Sequence, residues 1–469
     1  MVTEAPLMSG PVTGGAHGWP FGVPIGDPAD HGYRQDEYFV EGVATAYRPV
    51  PGTELGPDGQ WETEPASAAT YRTRIVVHRP VDPARFSGTA YVFWNNVSAG
   101  FDIYDGADAP GLIARGDVFV AVTCQRAGVH GTSQNLGLRT WDPERYGTLS
   151  LASDDYSFDV FAQVGAAIRG SRSPGSVDPL DGLVPRRVIA EGASQSAGRL
   201  ATFINAVAAH TPVFDGYLLT VYMGFGLPLQ VGDEVIDLAG PGRNPGPALV
   251  ARNYIRAIEQ KVMVVESELE ARVAAPFRQS DTDTYRCWET AGTCHASVQG
   301  SAARGPRLAR DFAQLTGFLT QGAGRELPPG VTANQVPLAP VIDAAKAALV
   351  RWIDGADAPA SSPRVEVSDG AVVRDADGIA RGGIRLPQVA VPVAVNGSAP
   401  LGDDLMAELQ GSCVPFTAGQ LAQRYADGAD YLRRFRAAAD RAVAEGFLPA
   451  ADADALSGEA AARAQNLFG

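Results

Sequence analysis

The stretch RRVIAEGASQSAGRLATFINAV, Arg186 to Val207, passes from a short apolar run through a knot of small residues into an amphipathic pattern. Val188, Ile189 and Ala190 read as a buried parallel strand, while Leu200, Ala201, Ile204 and Ala208 recur at helical spacing. Ser194 stands at the corner between them, crowded by Gly192, Ala193, Ser196 and Ala197. A serine at a sharp strand-to-helix turn adopts a strained backbone that lifts its Oγ above the sheet, so the residues two before and two after must be small. Gly192 and Ser196 meet that demand, with a serine where a second glycine is usual. The start of a helix also aims the Gln195 N–H and the helix dipole at any oxyanion formed beside Ser194. Any tight turn asks for small residues, and such strings arise by chance among 53 glycines, so the partners of the serine decide.

A serine hydroxyl needs a histidine to take its proton, and in this architecture the order along the chain is serine, acid, histidine. Only His210 and His295 follow Ser194. His210 ends the elbow helix, where a rise of roughly 1.5 Å per residue carries it about 20 Å away. His295 follows the β-type run YRCWETAG, from which a loop can return its imidazole to the sheet edge. The acid is expected after the preceding strand, in KVMVVESELEARV. Glu266 ends the apolar run; Glu268 and Glu270 alternate beyond it, and in an extended segment residues two apart share a face. Spacing alone does not choose between them, and Glu268 is taken first with Glu270 second. Asp281 and Asp283 are weaker candidates in a polar loop. A second oxyanion donor is expected after the third β-type run, in WNNVSAGFD, where Asn96, Val97 and Ser98 stand and Gly100 allows close backbone approach.

The rest of the chain agrees with one large α/β assembly. β-type segments recur through the first 300 residues, beginning as an antiparallel set and then alternating with helical patterns, which describes a mostly parallel sheet covered on both faces. One helix carries Phe158, Phe161, Val164, Gly165 and Ile168 on a face; a later one follows Pro340 with Val341, Ala345, Ala348, Leu349 and Trp352; a third is expected to bury Leu432, Phe435, Ala439 and Val443. A change of texture near residue 355 suggests a core over 1–355 and a mixed β/helical extension over 356–469.

Net charge is −15, and Lys261 and Lys346 are the sole lysines, so a nucleic-acid partner is not expected. No apolar run approaches the roughly 18 residues of a membrane span, and the start MVTEAPLMSGPVTGG lacks the basic and apolar regions of a signal peptide. A cytoplasmic location without membrane association is the expectation, with free thiols for the four cysteines. A homo-oligomer is left open. Cys294 adjoins His295, but neighbouring residues of an extended segment point apart, so no metal is expected.

Several long strings together resemble a known group: GPVTGGAHGWPFG, EYFVEGVATAY, WNNVSAG, AVTCQRAGV, RYGTLSLASDDYSFDVF, EGASQSAGRLATFINAV, RCWETAGTCHA and GGIRLPQVAVPVA. In that order they are similar to the bacterial α/β-hydrolase domain-containing proteins, esterase-like serine hydrolases with a long C-terminal extension. The resemblance spans nearly the whole chain. It implies the α/β-hydrolase fold, here an eight-stranded sheet with an inserted segment over 224–258. It also implies a triad falling on Ser194, His295 and an acid within ESELE. The group more often reads S-E-T-D where this chain has Ser267, Glu268, Leu269 and Glu270, and E-W-L-N-V-S-G-G around Trp94 to Gly100.

The expected chemistry is acyl transfer from a small-molecule ester through an acyl-enzyme, without a cofactor. Gln195 and Val97, with Asn96, would hold the oxyanion; Tyr222, Met223, Phe225 and Leu227 are candidates to line an apolar acyl pocket. The same groups would serve an amidase, a thioesterase or an acyltransferase, since these differ in pocket and acceptor; a non-catalytic protein on this fold is the remaining alternative.

Overall fold

The computed structural model describes residues 5–235, 253–312, 329–400 and 405–468. It divides into two compact units, Met1–Val262 and Met263–Gly469.

The first unit holds strands β1 (Leu7–Ser9), β2 (Tyr33–Pro49), β3 (Thr63–Pro80), β4 (Thr89–Trp94), β5 (Val118–Val122), β6 (Arg187–Ala193) and β7 (Gly216–Thr220). Their spatial order is β1-β2-β3-β5-β4-β6-β7. The long β2–β3 ribbon and the β3–β5 pair are antiparallel, whereas β5–β4, β4–β6 and β6–β7 are parallel. Every residue of β4 and β5 is buried. That is why both read as unbroken apolar runs: a central parallel strand is covered on two faces.

Two helices of this unit fix the core around the sheet. Helix α1 (Ser157–Ile168) buries all five of its expected face residues. Its Phe158 and Phe161 rings lie 5.6 and 4.7 Å from that of Trp94 at the end of β4. Burial of each such ring stabilises the fold by about 1.5–3 kcal/mol. Gly165 leaves room for Phe214, whose ring a Cβ there would meet at 2.7 Å. Helix α2 (Gln195–Ala206) follows β6 directly and packs Phe203 against Phe161, Phe214 and Tyr217. Ala208, expected on its inner face, is buried just past its end.

β4 leads to β5 on one side, and the chain then crosses back to β6 on the other side of β4. The order in which strands are added therefore reverses at β4, and the carboxyl ends of the parallel strands β4 and β6 sit side by side, with Trp94 opposite Gly192. In open α/β sheets such a reversal leaves a crevice for ligands.

The second unit begins within β8 (Lys261–Glu266) and continues with helix α3 (Glu268–Ala274) and β9 (Tyr285–Glu289). The β-type runs from EYFVEGVATAYRPV to YRCWETAG thus form the eight strands β2 to β9, preceded by the short β1. Helix α4 (Ala339–Ile353) buries Val341, Ala345, Ala348, Leu349 and Trp352 as expected. The texture change near residue 355 falls inside this unit, where Val365 and Arg364 bond to Glu289 at the end of β9. Two helices close the chain, α5 (Gly428–Ala444) and α6 (Ala450–Phe468). The buried stripe of α5 runs through Tyr431, Phe435, Ala438, Ala439 and Ala442, with Leu432 and Val443 half-buried at its edge. Tyr431 replaces Leu432 as the anchor because its ring stacks on Phe468 of α6, with centroids 5.6 Å apart. Among the described residues no helix is long and apolar enough to cross a membrane.

Candidate active site

The corner at Ser194 has the backbone that the sequence calls for. Its φ is 57° and ψ −118°, outside the helical and strand regions that an L residue prefers, and it directly precedes the first residue of α2. The Ser194 N–H donates to Thr220 O at 2.9 Å, and its carbonyl accepts the first helical bond, from Gly198 N at 3.1 Å. Gly192 is compelled by this turn, since a Cβ there would stand 2.7 Å from Ser196 O. Ser196 does more than stay small: its Oγ accepts from Ala193 N and donates to Ala193 O, both at 2.9 Å. Ser194 itself is half-buried. Gln195 opens the helix, so its N–H has no carbonyl one turn earlier to bond.

Beside the elbow lies the loop after β4. Asn96 Nδ2 donates to Ala193 O at 3.0 Å, and Asn96 Oδ1 accepts from Ser98 N at 2.8 Å. The Asn96 N–H is used in a bridge to Ile103 O at 2.9 Å. Asn96 therefore ties the loop to the elbow with its side chain while its amide faces elsewhere. The Val97 N–H points at Gln195 Oε1 over 3.4 Å, a long contact that leaves it open to a stronger acceptor. Gly100, at φ 82°, lets this loop approach Thr132, whose Oγ1 a Cβ would meet at 2.7 Å.

Underneath runs a buried ionic cluster that sequence reading did not find. Arg74 bonds Glu37 at 3.0 Å and Asp102 at 3.1 Å, all three sealed from solvent. Asp102 also accepts from Asn95 Nδ2 at 3.2 Å, so the cluster grips the residue just before the donor loop.

The expected pocket residues divide. Tyr222 and Leu227 are buried, and Tyr222 Oη donates to Asn253 O at 3.4 Å. Leu227 N–H donates to Gly198 O at 3.2 Å, and Thr202 Oγ1 donates to Leu227 O at 2.5 Å, fastening this turn to α2. Met223, at φ 65°, and Phe225 are half-buried. Residues 236–252 of the expected insertion lie outside the described residues. His210 stacks on Tyr47 at 5.0 Å and bonds Thr63 Oγ1 at 3.0 Å.

In the second unit, His295 Nδ1 stands 2.8 Å from Glu270 Oε1. The other Glu270 oxygen accepts from the N–H and hydroxyl of Ser267, forming the capping box of α3. Glu268 turns the other way. Its Oε2 accepts from Gly292 N at 2.7 Å; its Oε1 accepts from Arg374 Nη2 at 2.6 Å, Ser398 N at 2.9 Å and Ser398 Oγ at 3.0 Å. The geometry thus brings Glu270 to the histidine and commits Glu268 to the backbone of the histidine loop and to the C-terminal segment. That loop is held further by Asn334 Nδ2 on Gly292 O at 2.8 Å and by Ala296 N on Leu409 O at 2.9 Å. Glu266 is buried at the end of β8. Asp281 accepts from Arg286, Arg364 and Cys287 N; Asp283 is exposed. Among the described residues no group of three or more His, Cys, Asp or Glu side chains could hold a metal ion.

A family model described as "Alpha/beta hydrolase domain" matches residues 8–457. Among solved structures, the esterase Est22 is 12% identical over 60% of this chain and 82% of its own, with a TM-score of 0.31. Acetyl xylan esterase 1 from Thermoanaerobacterium sp. JW/SL YS485 is 13% identical over 53% of this chain and 79% of its own, with a TM-score of 0.26. Oligopeptidase B from Trypanosoma brucei with covalently bound antipain is 12% identical over 55% of this chain, with a TM-score of 0.29; the chain spans 33% of that protein's length. No curated protein matches the chain.

Proposed function

Because the chain belongs to the alpha/beta hydrolase domain family, we propose that it is a serine hydrolase that cleaves a small or medium carboxylic ester through an acyl-enzyme. The observation that carries this reading is the backbone of Ser194, a non-glycine residue at φ 57° between β6 and α2. Such strain persists where the surrounding structure over-determines it, and it clusters at reactive groups. The Gln195 N–H at the first position of α2 and the loosely held N–H of Val97 in the same unit support it, as does the His295–Glu270 pair in the other.

In this reading His295 Nε2 takes the Ser194 hydroxyl proton as Oγ attacks the ester carbonyl. Negative charge gathers on the carbonyl oxygen, where the Gln195 and Val97 N–H groups hold it. The tetrahedral intermediate collapses, the C–O bond to the alcohol breaks, and His295 returns the proton to the departing alkoxide. Water then gives its proton to His295 and attacks the acyl-enzyme, and the carboxylic acid leaves as Oγ regains a proton. Glu270 fixes the imidazole tautomer, with Nδ1 protonated, and offsets the imidazolium charge. Met223 and Phe225, the half-buried members of the expected pocket set, are the candidates to touch the acyl chain, with Tyr222 and Leu227 backing them. No cofactor takes part in this reading.

A fluorophosphonate probe together with p-nitrophenyl esters, amides and thioesters tests it. Covalent labelling abolished in Ser194→Ala, with turnover of esters above the other classes, is the expected result. A wild-type protein that neither labels nor turns over any of the three classes overturns the reading.

A further inference from the structure

A chain of buried polar side chains joins the two oxyanion donors of the first unit to an ion pair behind the elbow. Gln195 and Gln125, 70 positions apart, pair their amides reciprocally: Gln195 Nε2 donates to Gln125 Oε1 at 2.5 Å, and Gln125 Nε2 donates to Gln195 Oε1 at 3.1 Å. Gln125 Nε2 donates also to Asn95 O at 3.2 Å, two residues before Val97. Behind Gln125, its Oε1 accepts from Arg199 Nε at 3.1 Å, and Arg199 Nη2 bonds Asp154 Oδ2 at 2.8 Å. Asp154 Oδ1 in turn accepts from Arg126 N at 2.6 Å. Gln125, Arg199, Asp154 and Gln195 are each less than a tenth exposed.

The polarity of this chain has a definite origin. A pair of primary amides can lie in either of two orientations that exchange oxygen for nitrogen. A guanidinium has no acceptor, so Arg199 accepts nothing and must face the Gln125 oxygen. That choice turns the Gln125 nitrogen toward Asn95 O and Gln195 Oε1, and so turns Gln195 Oε1 toward the Val97 N–H, where the structure has it at 3.4 Å. In the opposite orientation a Gln195 nitrogen would confront the Val97 N–H, donor against donor, and push it off its line.

Resting on the acyl-enzyme reading above, we propose that Gln125, oriented by the Arg199–Asp154 pair, is a positioning residue that keeps the Val97 and Gln195 N–H groups aimed at the substrate oxyanion. In this proposal Gln125 is not one of the reacting groups. It acts through Gln195 and the Asn95 carbonyl, and the long Val97 contact leaves that N–H ready to shift to a charged oxygen.

Gln125→Met and Gln195→Met, singly and combined, test this while leaving the Arg199–Asp154 pair in place. Removal of an oxyanion donor costs about 10²- to 10³-fold in kcat, so mis-aiming one is expected to cost about 10- to 100-fold with KM within about twofold. Affinity for an aryl trifluoromethyl ketone, whose serine adduct carries the same oxyanion, should fall in parallel. The double variant should lose no more than the worse single one, because the two amides act as a unit. Unchanged kcat and ketone affinity in Gln125→Met, losses that multiply in the double variant, or a loss that merely follows the folded fraction in urea overturns the proposal. Fluorophosphonate labelling of Ser194 in the wild type keeps the two levels apart: its absence removes the acyl-enzyme reading itself, whereas intact labelling with an indifferent Gln125→Met removes the positioning role alone.

Discussion

Glu268 and Glu270 stand two positions apart at the start of one helix and face opposite ways. Glu270 meets His295 at 2.8 Å, and Glu268 meets Arg374 at 2.6 Å. Both carboxylates are fully buried. On a helix, successive residues turn by about 100°, so two positions amount to about 200° and the side chains diverge. The expected outcome of Glu270→Gln is a loss of kcat of about 10²- to 10⁴-fold with the fold intact, because an amide no longer holds the charge-bearing tautomer of the imidazole. Glu268→Ala should act on stability, leaving Arg374 without its carboxylate and Gly292 N–H without its acceptor, at a cost of about 3–5 kcal/mol. Steady-state kinetics and urea midpoints on both variants check this. Glu268→Ala as stable as wild type, or Glu270→Gln fully active, contradicts the division of labour.

That division also shows what was legible in the sequence and what was not. All eight β-type runs were readable because apolar, β-branched and aromatic residues cluster where a strand is covered on two faces, as in β4 and β5. The elbow was readable because its small residues are demanded locally. Spacing leaves the two glutamates of ESELE equivalent in an extended segment, whereas the segment opens a helix on which they diverge. Ser267 with Glu270 three residues later is a capping-box signal for a helix start, and it would have separated the two glutamates. Asn96 was expected among the donors, yet its N–H is spent on Ile103, a bridge that no local pattern announces. The pairing of Gln125, Arg199 and Asp154 has no sequence signal for the same reason: polar pairs between distant segments have no period, and an arginine on a helix ordinarily reads as solvated surface.

The backbone at Ser194 carries a cost that a glycine would not. Holding an L residue at φ 57° and ψ −118° costs about 1–3 kcal/mol. Ser194→Gly should therefore unfold at higher urea than Ser194→Ala, by about 1 kcal/mol after glycine's extra unfolded-state entropy is counted, while both lack labelling. Equal midpoints for the two variants would mean that the corner relaxes without strain.

Asp102 serves two structures at once, neutralising Arg74 and holding Asn95 ahead of the donor loop. Asp102→Ala is expected to cost about 3–5 kcal/mol, since it strips a buried guanidinium of one of its two carboxylates. Thr123 also donates to Asp102, but as a neutral hydroxyl, and Thr123→Val should cost nearer 1–3 kcal/mol. Urea titration of each variant measures the order, and a Thr123→Val loss exceeding that of Asp102→Ala would reverse it.

Asp281 supplies a pH-dependent contribution to the second unit. Partial burial pushes its carboxyl up, but hydrogen bonds from Ser361, Arg286 and Cys287 N–H, with the Arg286 charge, outweigh burial and hold it below the usual carboxylate range. The bonds tie the loop before β9 to Arg286, at 3.0 Å, and to Arg364, at 3.3 Å. A carboxyl depressed in the folded state binds protons more readily when unfolded. Its stabilisation is therefore present above the unfolded value of about 3.9 and is lost as pH falls through the lower folded value. Asp281→Asn should lower the unfolding midpoint at pH 7, and the gap to wild type should narrow as pH falls below the unfolded value and through the lower folded one. Thermal melts of the two proteins across that range decide the matter: a gap that is constant with pH would mean that Asp281 acts through packing and hydrogen-bond geometry rather than through its charge.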